Sequence, residues 1–138
     1  MKVVVNRCYG GYGLSEQAVL RYAELKGIKL YVEKGWYETT IYWLVPEKER
    51  TGIIYEHEFY NRTLEERHAS NMRYAELTLC PRDIDRNDTA LIQAVEELGE
   101  EANGEYAELE VVEIPDDVQW TIEEYDGFES IHEVHRVW

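Results

Sequence analysis

Basic residues are scarce in this chain of 138: Lys and Arg together number 14 against 29 Asp and Glu, a formal net charge of −15. That balance repels nucleic-acid phosphates and anionic membrane surfaces unless cations cluster, and no Lys/Arg cluster occurs along the sequence. Direct nucleic-acid binding is therefore not expected. Cysteine is also scarce: Cys8 and Cys80 are too few for a disulfide framework and form no C-x-x-C zinc pair, so both read as reduced thiols. No apolar run approaches the ~20 residues that a membrane span needs. The amino end lacks a basic region followed by an apolar stretch and a small-residue cleavage site. These absences predict a cytosolic protein with no membrane partner. Repeats, low-complexity tracts and Pro/Gly-rich linkers are missing too, so one domain over 1–138 is expected.

What is present is apolar and aromatic. Hydrophobic residues make up 44% of the chain, with 11 Tyr, 4 Trp and 2 Phe, enough to build a core despite the charge. Val3, Val4 and Val5 are consecutive and β-branched, as in a strand covered on both faces. Ala18, Val19, Tyr22, Ala23 and Leu25 repeat at helical spacing between Ser15, a good N-cap, and Gly27, a good C-cap, which predicts a helix over 16–26. Strands are predicted over 28–33 and 39–45, paired as a hairpin. The stretch 47–71 reads as an irregular excursion, with a capping-box candidate at Thr63-x-x-Glu66, and 74–79 as a strand.

Asp88 heads a helix of about 14 residues whose apolar face carries Leu91, Ala94, Val95, Leu98 and Ala102. Strands follow at 109–114 and 118–122. After a turn at Tyr125-Asp126-Gly127, the spacing of Phe128, Ile131, Val134 or His135, and Trp138 predicts a short terminal helix. The expected class is α+β: a mixed or antiparallel sheet of about five to six strands with two main helices.

The densest chemistry lies in Asn6 to Ser15, "NRCYGGYGLS". Gly10, Gly11 and Gly13 permit positive φ and close backbone approach, and the loop opens a helix whose free N–H groups suit an anion. Arg7 is its cation; Tyr9 and Tyr12 are rings that can stack on a flat ligand. The loop matches neither G-x-x-x-x-G-K-[ST] nor G-x-G-x-x-G, so a structural turn stands beside a ligand site as the alternative. A second polar loop, Arg82 to Asp88, precedes the second long helix. Arg82 and Arg86 can hold an anion or pair with neighbouring acids, and they join Arg7 in one cleft if the two loops meet.

Other constellations are weaker. Cys8, beside Arg7 and near a helix start, is a candidate nucleophile, but no base is tied to it, and a packing thiol is the alternative. Glu129-x-x-His132-x-x-His135 would share a helical face, yet it is not H-E-x-x-H, so no metal site and no cofactor are assigned. The acidic run Glu96 to Glu113 is either a solvated face or an imitation of nucleic-acid phosphates offered to a basic partner.

The segments "VNRCYGGYGLS" and "RDIDRNDTALIQAVEELGEEANGEYAELEVVEIPDDVQWTIEEYDGFESIHEVHRVW" resemble a family of small uncharacterised proteins encoded in bacteriophage and prophage genomes. The resemblance covers about half the chain and carries no catalytic residues with it. It implies a phage accessory protein acting in the bacterial host cytoplasm. The combined expectation is a non-enzymatic, homo-oligomeric binding protein for a small anionic or nucleotide-like ligand. Its site would comprise Arg7, Cys8, Tyr9, Gly10, Gly11, Tyr12, Gly13, Ser15, Arg82 and Arg86. One alternative is an acidic inhibitor of a host enzyme by direct protein contact; another is a small enzyme using Cys8 or a histidine.

Overall fold

The computed structural model describes residues 1–35 and 39–134. It is α+β, with seven strands in three small antiparallel sheets among those residues, where one larger sheet was expected. The chain gathers into two compact units: Met1–Gly27 with Pro81–Trp138, and Ile28–Cys80. No helix among the described residues is long and apolar enough to cross a membrane.

The first unit is built on β1 (Lys2–Asn6), paired antiparallel with β5 (Leu109–Glu113) in the register Val4↔Val111. Val3, Val4 and Val5 are fully buried, as a strand covered on both faces requires. Helix α1 (Glu16–Lys26) starts at Ser15, whose side chain accepts from the Ala18 N–H. It ends at Gly27 with φ of 71°, whose N–H reaches back to Ala23 and Glu24. It packs on α4 (Thr89–Leu98), which in turn packs on β1.

Asp88 caps α4 by accepting from the N–H groups of Ala90 and Leu91, and it pairs with Lys26 at 2.9 Å. Burial alone would raise the Asp88 carboxyl, but Lys26 and those two N–H groups together hold it below its ordinary value. The helix is shorter than its apolar stripe suggested. Gly99 takes a positive φ of 58° and the chain tightens into a 3-10 turn over Gly99–Ala102.

The expected terminal helix is instead a strand. Asp126 and Gly127 adopt φ of 49° and 90°, the left-handed pair that a two-residue hairpin needs. They fold β7 (Phe128–Glu133) back onto β6 (Trp120–Tyr125), pairing Tyr125 with Phe128 and Ile122 with Ile131. β7 also packs against β1, where helical spacing in the sequence gave no hint of it. His135 and Trp138 lie outside the described residues.

In the second unit, β2 (Tyr31–Lys34) pairs with β3 (Thr40–Trp43), and β3 with the two-residue β4 (Thr78–Leu79). Between them, 47–71 contains a 3-10 turn at Glu47–Glu49, a single helical turn α2 (Glu56–Phe59) and the start of α3 (Leu64–Leu77). Thr63 caps α3 by accepting from the Glu66 N–H, the capping-box position seen in the sequence. That helix runs to Leu77, so the expected strand at 74–79 shrinks to its last pair. The Thr78 hydroxyl donates to the Tyr74 carbonyl at 2.7 Å, which secures the helix end.

Candidate functional site

Beginning in the first unit, the glycine loop is stitched to residues 101–106. The Gly104 N–H donates to the Gly13 carbonyl at 2.9 Å, and the Ser15 N–H donates to that of Ala102 at 2.9 Å. The Ser15 hydroxyl donates to the Glu101 carbonyl at 2.6 Å while capping α1. Gly10 lies so close to the Tyr106 backbone that a side chain has no room, and Gly11 takes a φ of 98°. Steric demand therefore accounts for two of the three loop glycines.

The two strand-helix loops do meet. The Arg86 guanidinium lies 3.3 Å from the centre of the Tyr12 ring, a stacked cation–π contact. On its edge it forms a two-pronged ion pair with Glu129, at 2.7 and 2.8 Å. The Glu129 carboxylate is almost wholly buried and accepts in addition from the Asn6 N–H at 2.8 Å. Arg7 pairs with Glu110 at 2.9 Å and donates to the Glu129 carbonyl at 2.8 Å, beside the Phe128 ring. Both arginines thus converge on residue 129 of the hairpin, and each is matched by a carboxylate. Arg82 is exposed and has no ion pair among the described residues.

Tyr12 meets Arg86 through its ring face alone, and its hydroxyl is buried without a hydrogen-bond partner among the described residues. Burial, only partly offset by the Arg86 charge and reinforced by Glu129, raises its phenol from 10.0 to about 12. Tyr9 is 68% exposed, its ring 5.5 Å from Phe128. Cys8 is half-buried in the wall of a depression of about 650 Å³. Glu100, Glu105 and Glu108 line the same depression, with no lysine or arginine among the described residues. The concave surface beside the loop is therefore acidic, and the loop's nearest cations are already committed to carboxylates.

The Glu129-x-x-His132 pair lies on a strand, where residues three apart face opposite ways. Glu129 points inward to Arg86, whereas His132 contacts Ser130 at 2.8 Å and Glu123 at 3.3 Å. No group of three metal-ligating side chains forms among the described residues.

A second concavity belongs to the second unit. The β2–β3 register pairs Glu33 with Ile41 and Tyr31 with Trp43, which places Glu33, Ile41 and Trp43 on one face. Ile53, Ile54 and Tyr55 approach that face, held to α3 by the Ile54 N–H donating to Ser70 at 2.8 Å. Together with Tyr74 and His57 they enclose about 780 Å³, a size suited to a small organic ligand. Trp43 is the buried member, edge-on to Tyr74 at 5.5 Å, with Arg50 stacked 4.5 Å from its ring centre. Its Nε1 donates to Glu33 Oε2 at 2.6 Å, and Arg50 Nη1 to the same oxygen at 3.3 Å. Tyr55 and Tyr74 keep exposed ring surface. Burial, then the charges of Cys80 and Glu33, raise the Tyr74 phenol.

Of these pocket residues only His57 was among the sequence candidates, as one of four histidines that could serve as a base for Cys8. The signal of the others was compositional: aromatic residues crowd the segment from Tyr31 to Tyr74, but no motif orders them. Comparisons with protein-family models, curated proteins and solved structures give no match to this chain.

Proposed function

We propose that this is a binding protein that holds a planar, nucleobase-like ring in the aromatic pocket of its second unit. One observation carries the reading: a cavity of about 780 Å³ combines apolar walls, two partly exposed tyrosine rings and, among the described residues, a single carboxylate. Flat rings gain roughly 1–3 kcal/mol from stacking on each such aromatic side chain, and a few polar groups fix their orientation. Among the described residues no lysine or arginine lines this cavity, so the ring rather than a phosphate supplies the affinity. The resemblance to phage-encoded proteins supports a setting in which such a ligand, a nucleotide signal of the host, is sequestered.

Calorimetry on the full chain against nucleosides and the corresponding nucleotides tests the reading. Nucleosides should bind with affinities close to those of their nucleotides. Replacing the exposed ring by Tyr55→Ala should weaken both about tenfold. Failure of every nucleoside to bind at millimolar concentration would overturn it.

A second reading, contact with a basic host protein, is favoured by Glu100, Glu101, Glu105 and Glu108. Their carboxylates are exposed and without side-chain partners among the described residues. Reversing Glu100, Glu105 and Glu108 to lysine should abolish a salt-sensitive complex with that partner. An unchanged pull-down would count against this reading.

A further inference from the structure

If the pocket holds a flat ring, the reading on which this step rests, Glu33 decides which ring it selects. Among the described residues, Glu33 contributes the carboxylate of the wall. Its Oε2 is occupied by Trp43 Nε1 and Arg50 Nη1, while Oε1 has no partner among the described residues. The side chain remains 46% exposed, so this free oxygen belongs to a group that solvent, or a ligand, reaches. Arg50, only 11% exposed and stacked on Trp43, holds the carboxylate in place from behind and balances its charge. An uncharged ligand is therefore not disfavoured.

An ionised carboxylate offers lone pairs only. It attracts a ligand edge that carries adjacent N–H donors and repels one where an acceptor stands beside the donor. Guanine presents two adjacent donors, N1–H and the N2 amino group. Adenine and cytosine each set a ring-nitrogen acceptor beside their amino group, and uracil flanks its N3–H with two carbonyls. We infer that the pocket selects guanine-type rings, with Glu33 Oε1 accepting from the N1–H and N2 donor edge while Tyr55 and Tyr74 bear on the ring.

The test compares guanosine, 1-methylguanosine and adenosine by calorimetry on the full wild-type chain. A hydrogen bond to a charged group predicts guanosine binding about tenfold or more above adenosine. Blocking N1 by methylation should bring the affinity down towards that of adenosine. In Glu33→Gln the amide oxygen can keep the Trp43 and Arg50 contacts while the amino group turns a donor to the ligand, so preference should shift to adenosine. Equal affinities in the wild-type chain would overturn the selectivity and leave ring binding intact. An unchanged ranking in a folded Gln variant would overturn the assignment to Glu33. Absence of binding by all three nucleosides would overturn both. The wild-type comparison decides the question even if the variant does not fold.

Discussion

At Glu129 one carboxylate, 4% exposed, accepts both prongs of Arg86 and the N–H of Asn6. Removing one partner of such a buried pair leaves the other charge uncompensated, which costs about 3–5 kcal/mol. Glu129→Ala should lower the unfolding free energy of the first unit by that amount in urea titrations. The double variant Glu129→Leu with Arg86→Met should recover only part, because it leaves no unpaired charge but still strips the buried Asn6 N–H of its acceptor. Tyr12, beneath Arg86, supplies a pH test. Its folded-state phenol titrates near 12 against an ordinary 10.0, so the folded form holds its proton more tightly than the unfolded chain does. The resulting stability is complete below pH 10.0 and is lost as pH rises towards about 12. Absorbance titration should find one tyrosine ionising near the top of that range, and Tyr12→Phe should remove the step.

Elements meet through their turns. The β6–β7 hairpin closes at Gly127, where φ is 90° and a side chain would stand 2.5 Å from the Gly11 nitrogen and 2.8 Å from the Tyr9 carbonyl oxygen. Gly27, the C-cap of α1, has φ of 71° but open space around it. Gly127→Ala must therefore carry a backbone clash as well as the strain, and should cost more than about 2 kcal/mol. Gly27→Ala should cost only the ~1–2 kcal/mol of a left-handed non-glycine residue. Thermal unfolding of the two variants should rank them in that order; equal losses would mean that the hairpin turn is not packed on the glycine loop. The same turn explains why Glu129 reaches Arg86, since the hairpin carries it back to β1.

Across the whole molecule, charge dominates. A net −15 on 138 residues makes the folded chain repel itself, and exposed ion pairs such as Lys2–Glu96 return little in water. Salt screens repulsion over a Debye length of about 10 Å at 0.1 M. Raising NaCl from about 20 mM to about 500 mM should therefore raise Tm by several degrees. A fall in Tm would mean that the ion pairs outweigh the net repulsion.

The sequence by itself determined the features that depend on neighbours along the chain. The α1 span, its Ser15 and Gly27 caps, the buried Val3–Val5 strand, the Asp88 and Thr63 caps and the turn at Asp126-Gly127 all rest on local propensity and local hydrogen bonds. Tertiary structure decided what depends on distant partners. Phe128–Glu133 had helical spacing but became a strand, because β6 offered a ladder of pairs and β1 a surface to pack on. Arg7 and Arg86 looked available for an anion, yet Glu110 and Glu129, more than 40 residues away in each case, took up their charge. The aromatic pocket likewise exists only where β2, β3, the 53–55 segment and α3 come together. Which charges are matched and which rings are left uncovered depends on partners far apart in the chain, and these the fold alone brings within reach.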